Sequence, residues 1–139
     1  MLMGTYPHSI DAKNRLIIPS KLKAELGENI VLSRDSDRCL AVYSAEEWER
    51  YAAKFDEHAK SSIKSSARII FGQGAQIQLD SQGRAVIPQA MIEYAGITKN
   101  VVIVGCGRYA EIWSEERWQK VEEESDPDDL AEMLASLGL

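Results

Sequence analysis

Two arginines in this chain stand in the same short pattern, each four residues after an aspartate. The two stretches read SIDAKNRLIIP at residues 9–19 and QLDSQGRAVIP at residues 78–88. An arginine side chain can donate two hydrogen bonds to a guanine edge or to a phosphate. A carboxylate at this spacing can instead form an ion pair with the arginine. The residues alone leave both readings open. Either Arg15 and Arg84 bind nucleic acid, or they mainly hold their own turns together through Asp11 and Asp80.

The repetition extends well beyond the two arginines. A separation of 69 positions relates Asp11/Asp80, Arg15/Arg84, Ile18/Ile87 and Pro19/Pro88, and a separation of 70 relates Arg38/Arg108, Ser44/Ser114, Glu46/Glu116 and Trp48/Trp118. Because this period spans about half of the 139 residues, it indicates a duplicated unit and not a solenoid. Each half is too small to bury enough surface alone, so we expect one core shared by both.

The aspartate and the arginine of each pattern flank a predicted turn. The intervening residues are AKN in the first half and SQG in the second. A three-residue hairpin loop needs a left-handed residue at its end, where Gly is best suited and Asn is next. We therefore predict positive φ angles at Asn14 and Gly83. Asp11 and Asp80 are predicted to be structural, because a carboxylate facing phosphate is unfavourable.

The tips of these turns are the candidate contacts to DNA. A two-stranded ribbon fits the major groove, where Arg matches guanine, Gln matches adenine and Lys mainly meets phosphate. On the nucleic-acid reading, the DNA-binding residues are Lys13 and Arg15 in the first half and Gln82 and Arg84 in the second.

Short strand-like runs and helical patterns surround the turns. We predict a strand-rich, mixed α+β protein divided into a first repeat at 1–60, a linking helix and connector at 61–76, a second repeat at 77–120 and an acidic C-terminal helix at 121–139. Trp48, Tyr51 and Phe55 recur at helical spacing, and Ser125 or Asp126 as cap, with Pro127 after it, is a start signal for the last helix.

Charge is unevenly distributed along the chain. The formal net charge is −6, yet residues 114–139 carry nine acids and two bases, which leaves thirteen acids and fourteen bases for residues 1–113. The overall charge is therefore a poor guide to nucleic-acid binding.

Few residues have the types and spacing that catalysis or metal binding requires. The chain has two histidines and two cysteines, with no CxxC and no ligand-spaced histidine pair. We expect Cys39 and Cys106 to be buried reduced thiols, and we expect no enzymatic activity, metal, cofactor or small-molecule substrate. No apolar run approaches the roughly 18 residues of a membrane span, which predicts a cytoplasmic protein without a membrane partner.

The paired motifs resemble a known family. A DxxxR hairpin followed by an apolar triplet and Pro, present twice, with YSxxEW or IWSxxxW after it, resembles MraZ, the bacterial regulators of the division and cell-wall gene cluster. The resemblance covers nearly the whole chain, including the MxMGxYxHxIDxKxR opening. The half-unit also resembles the swapped-hairpin DNA-binding fold of AbrB and the MazE antitoxins. The chain departs from the family pattern at two places. Asn14 stands where the family usually has Gly in the first loop, and the Arg-rich midchain stretch of the family is reduced to Arg68 here.

The resemblance implies both an architecture and a role. It implies two intertwined units forming one pseudo-two-fold β-barrel. It also implies a cytoplasmic, nucleoid-associated transcriptional regulator that binds direct repeats in double-stranded promoter DNA, including its own promoter, and forms a homo-oligomeric ring. We expect apolar faces of helices 45–59, 61–71 and the C-terminal helix, with Trp48 and Trp118, to join the subunits. An antitoxin-like protein-interaction module is the alternative.

Overall fold

The computed structural model describes all residues from 1 to 139. The first half contains β1 Thr5–Ser9, β2 Arg15–Ile17, α1 Ser20–Leu26, β3 Asn29–Arg34, β4 Leu40–Ser44, α2 Ala45–Asp56 and α3 Lys60–Ile70. The second half contains β5 Ala75–Gln78, β6 Arg84–Val86, α4 Gln89–Ala95, β7 Asn100–Gly105, β8 Ala110–Ser114, α5 Glu115–Glu124 and α6 Pro127–Ser136. The predicted strand-rich, mixed α+β class is confirmed.

Six of the strands form one antiparallel sheet, in the order β1-β7-β8-β4-β3-β5. In this sheet β1 lies beside β7 of the second half, and β5 lies beside β3 of the first half. β4 and β8 join the two halves at the centre, with Ala41 opposite Glu111. The first strand of each half therefore extends the sheet of the other half.

The remaining two strands form a separate two-stranded ribbon, in which Leu16 of β2 lies opposite Ala85 of β6. The larger sheet keeps β1 and β5 as its two edges, so the predicted closed barrel is not confirmed. The short ribbon strands explain this. Each has three residues and is soon followed by Pro19 or Pro88, which lack the backbone N–H that a continuing strand needs.

The two halves share one hydrophobic core, as predicted. A single cluster of 21 buried residues includes Leu16, Leu22 and Leu32 from the first half and Met91 and Ile103 from the second. It lies between the ribbon, the short helices α1 and α4, and one face of the sheet, so neither half can bury its apolar side chains without the other.

Aromatic side chains cover part of the opposite face of the sheet. The Tyr43 ring on β4 has its centroid 5.3 Å from that of Trp48 on α2, and the equivalent Trp113 and Trp118 rings are 5.9 Å apart. Trp48 and Trp118 are half-buried in these contacts. Within the chain they pack against their own sheet, because α2 and α5 begin directly at the ends of β4 and β8. Their role in joining subunits stays a prediction.

The midchain and C-terminal helices begin and end at defined residues. The helix predicted at 45–59 ends at Asp56, and a new helix starts at Lys60. Of the two predicted cap residues, Ser125 and Asp126, it is Asp126 whose carboxylate accepts a hydrogen bond from the Asp128 N–H, at 2.9 Å. The last helix therefore begins at Pro127, and residues 121–124 belong to the preceding helix α5. No helix is long and apolar enough to cross a membrane.

Candidate nucleic-acid interface

The first turn is organised around the Asp11 carboxylate. Its Oδ1 accepts hydrogen bonds from the backbone N–H groups of Lys13 at 2.9 Å and Arg15 at 2.8 Å. The Arg15 Nε donates to Oδ2 at 2.6 Å. Asn14 has a φ of 61°, the left-handed conformation that the spacing predicted.

The second turn has the same construction. The Asp80 Oδ1 accepts from the N–H groups of Gln82 and Arg84, both at 2.9 Å, and the Arg84 Nε donates to Oδ2 at 2.7 Å. Gly83 has a φ of 74°, which also confirms the prediction. The same local chemistry therefore produces the same turn in both halves.

These hydrogen bonds fix the charges of the turns. The backbone N–H of Arg15, followed by its side chain, lowers the pKa of Asp11, and Arg84 lowers the pKa of Asp80 in the same way. Both aspartates are therefore ionised at neutral pH and paired with their arginines. Each pair uses only the Nε of the arginine, and the terminal amino groups of Arg15 and Arg84 donate no hydrogen bond to the protein.

Strand pairing brings the two arginines onto one face of the ribbon. Arg15 lies opposite Val86, and Ile17 lies opposite Arg84. Residues two apart on a strand share a face, so all four side chains point the same way, and the two arginines are diagonal neighbours across the ribbon. Leu16 and Ala85 occupy the other face and are fully buried.

The outward face of the ribbon combines charge with exposed apolar side chains. Ile17 is 51% exposed and Val86 is 55% exposed, although each stands in a strand. The sequence analysis missed both residues, because an apolar triplet before a proline looks uniformly buried. The signal was available in the alternation, since only the first and third positions of LII and AVI can face the core together.

Each turn also rests on a short helix of the other half. The Asn14 side-chain amide donates to Gln89 Oε1 at 3.0 Å, at the start of α4. A Cβ on Gly83 would lie 3.5 Å from the Nζ of Lys23 on α1. Lys23 is thus a base beside the second turn that the sequence analysis did not assign to it.

The predicted tip residues lie where the turns leave the ribbon. Lys13 and Gln82 are exposed, and they sit at opposite ends of the ribbon because its strands are antiparallel. The surface holds four bases, Lys13, Arg15, Lys23 and Arg84, against the two aspartates, so it is positive although the chain is acidic. Such a surface can meet phosphates along its length and base edges at its centre.

A second group of polar side chains lies on the sheet, away from the ribbon. The thiols of Cys39 and Cys106 lie 3.7 Å and 3.6 Å from the two carboxylate oxygens of Glu111, and the Trp113 indole N–H donates to Glu111 at 3.1 Å. Burial raises the pKa of Cys39, and it raises the pKa of Cys106 to about 12. Both thiols are therefore protonated at neutral pH, which makes them poor nucleophiles.

Comparison with known proteins identifies the family. The model of the family described as "MraZ protein, putative antitoxin-like" matches twice, at residues 1–70 and 70–136. Three proteins named "Transcriptional regulator MraZ" are each similar to this chain over its whole length and over their own whole length. They come from Acetivibrio thermocellus with 38% identity, Clostridium acetobutylicum with 39% and Thermoanaerobacter sp. with 40%. The duplicated turns lie one in each matched segment, and the chain belongs to the MraZ family.

Proposed function

We propose that this protein is a DNA-binding transcriptional regulator that contacts its operator through the ribbon and its two turns. The observation that carries the proposal is the pairing of β2 with β6, which sets Arg15 and Arg84 on one exposed face. The printed names of the relatives, which call them transcriptional regulators, support the same class of function.

Each residue of the surface has a role that follows from its contacts. Asp11 and Asp80 each accept a hydrogen bond from the Nε of their arginine. The two terminal amino groups of each arginine can then donate two hydrogen bonds to guanine or to phosphate. Lys13 and Lys23 neutralise phosphates, and Gln82 is suited to adenine. The exposed Ile17 and Val86 lie where they can contact thymine methyl groups.

The wider mechanism follows from the repetition within the chain. We infer that the exchanged strands form the swapped-hairpin unit of AbrB-type proteins. One such surface has few bases and binds weakly at physiological salt, so affinity comes from several copies on repeated sites. The protein would act on the nucleoid in the cytoplasm, without a cofactor, as a homo-oligomeric ring on direct repeats. Those repeats would lie in promoters of the division and cell-wall gene cluster, including its own.

Arginine variants test the proposal. Arg15→Ala and Arg84→Ala should each weaken binding to duplex DNA from upstream of the gene by about 1–3 kcal/mol, measured by gel shift at fixed salt. The thermal unfolding temperature should fall little, because each arginine is partly exposed. Arg50→Ala, which removes a similar arginine–carboxylate pair on α2, is the matched control and should bind like the parent.

Two results would contradict the assignment. Unchanged DNA affinity in both ribbon variants would exclude these arginines as contacts. A large fall in unfolding temperature with normal binding by the folded fraction would show that the arginines only stabilise the turns.

An antitoxin-type interaction module is the second candidate. The exposed apolar side chains of the acidic helix α6 favour it, since such a helix can grip a basic protein partner. The gel shift separates the two candidates, because an interaction module would leave the upstream DNA unshifted.

A further inference from the structure

Four side chains that can ligate a metal ion meet on the sheet, away from the ribbon. Asp35 directly follows β3, Cys39 directly precedes β4, Cys106 directly follows β7 and Glu111 lies within β8. Donor atoms of Asp35, Cys39 and Glu111 lie within 4.8 Å of one another. The Glu111 carboxylate also separates the two thiols, with Cys39 Sγ 3.7 Å from Oε2 and Cys106 Sγ 3.6 Å from Oε1. Both halves of the chain therefore supply one sulfur and one carboxylate to the group.

Backbone and side-chain hydrogen bonds hold these donors in place. The Asp35 Oδ1 accepts from the Asp37 N–H at 2.9 Å, and the Asp35 N–H donates to the Cys39 carbonyl at 3.0 Å. Asp35 and Cys39 thus belong to one closed turn. The Trp113 indole N–H, which donates to Oε1 at 3.1 Å, orients the Glu111 carboxylate.

The two carboxylates of the group have no cationic partner. The four ion pairs of the chain join other residues, so neither Asp35 nor Glu111 is paired with a base. Both side chains are half-buried, and the neighbouring Cys39 is fully buried. Two like charges this close together and partly removed from water repel each other. A divalent cation between them would neutralise that repulsion.

The spacing of sulfur and oxygen in the group fits a tetrahedral zinc site. Zinc binds sulfur at about 2.3 Å and carboxylate oxygen at about 2.0–2.2 Å, so a tetrahedral ion holds the two kinds of ligand about 3.6 Å apart. The observed separations from Glu111 are 3.7 Å for Cys39 and 3.6 Å for Cys106. Sulfur donors favour zinc over magnesium and calcium, which take oxygen ligands.

We propose that Asp35, Cys39, Cys106 and Glu111 bind a zinc ion. Each thiol releases its proton to solvent as its sulfur bonds to the metal. Trp113 is a positioning residue, because its N–H fixes the carboxylate that two thiols flank.

The ion would join the two halves of the protein. Ala41 precedes Glu111 by 70 positions, one of the separations that define the repeat, and the two residues lie opposite each other on β4 and β8. The zinc site therefore lies where the two halves meet in the sheet. It is independent of which residues contact DNA.

Cobalt and zinc titrations of the full-length, metal-free protein test the site. Cobalt(II) bound by thiolates gives an intense near-ultraviolet charge-transfer band, which the parent should gain with Co²⁺ and lose when Zn²⁺ displaces it. Cys39→Ser and Cys106→Ser should each weaken zinc binding by at least about 100-fold in competition with a chromophoric chelator, since loss of a residue that only orients a ligand already costs about 10–100-fold. Asp37→Asn is the matched control. It removes a carboxylate outside the group and keeps the N–H that Asp35 accepts, so it should bind zinc like the parent.

Every outcome decides the proposal. A parent without the thiolate-to-cobalt band would overturn it, and that measurement requires no variant to fold. Equal zinc affinity in the parent and both cysteine variants would also overturn it, because only the acidic surface would then be binding metal. If Cys39→Ser fails to fold, Trp113→Phe replaces it and should weaken zinc binding by about 10–100-fold while the cobalt band keeps its intensity. Unchanged affinity in Trp113→Phe and Cys106→Ser would refute the site.

Discussion

At the scale of single residues, each turn depends on one carboxylate and one left-handed residue. The carboxylate accepts hydrogen bonds from two backbone N–H groups and from an arginine side chain. The left-handed residue lets the chain reverse direction within the turn. The two halves fill the left-handed position differently, with Asn14 in one and Gly83 in the other. Both residue types tolerate positive φ, so one geometry accommodates two sequences.

The left-handed positions can be tested by substitution. Gly83→Val should lower the free energy of unfolding by about 1–3 kcal/mol, because a β-branched residue is strained at a φ of 74°. Steric overlap should add little, since a Cβ there would meet Lys23 at an ordinary 3.5 Å. Asn14→Gly should change stability by less than about 1 kcal/mol, as it keeps the conformation and loses one amide contact. Urea unfolding measures both, and equal effects would contradict the turn geometry.

At the scale of elements, the ribbon separates stability from recognition by strand alternation. Leu16 faces the core and is fully buried, whereas its neighbour Ile17 faces solvent. The same alternation holds for Ala85 and Val86. One three-residue strand thus contributes a side chain to the core and two to the proposed DNA surface.

Alanine substitutions at adjacent positions test this separation. Leu16→Ala should destabilise the protein by about 2–5 kcal/mol, because it leaves a cavity in the shared core. Ile17→Ala should change stability by less than about 0.5 kcal/mol and weaken binding to upstream DNA. Chemical denaturation and gel shift on the same pair give the two readouts. Similar losses of stability in both variants would mean that the two faces are not distinct.

At the scale of the whole molecule, the halves depend on each other. β1 and β5 each complete the sheet of the other half, and β2 has β6 as its ribbon partner. The duplication therefore produces one shared core and a strand order with an internal pseudo-two-fold arrangement.

Fragments test this mutual dependence. A cut between α3 and β5 gives residues 1–74 and 75–139, each of which leaves strands without partners and half a core exposed. Neither fragment should show a cooperative thermal transition as a monomer, whereas an equimolar mixture should regain one, followed by circular dichroism. A cooperative, monomeric 1–74 fragment would show that the first half has a sufficient core of its own.

Local patterns in the chain were enough to predict the turns, the class of fold and the shared core. The spacing of Asp11 and Arg15 with Asn14 between them specifies a turn through bonds made within five residues. Capping also depends on neighbours, which is why the start of α6 could be narrowed to a cap at Ser125 or Asp126. Such contacts have nearly the same geometry wherever the segment lies in the fold.

Contacts between distant residues required the tertiary structure. The pairing of β2 with β6, the approach of Lys23 to Gly83 and the open sheet all depend on segments that lie far apart in the sequence. Hydrogen bonds between strands are chemically alike at every register and for every partner. The partner is therefore chosen by how the whole chain buries its core, and no local pattern records that choice.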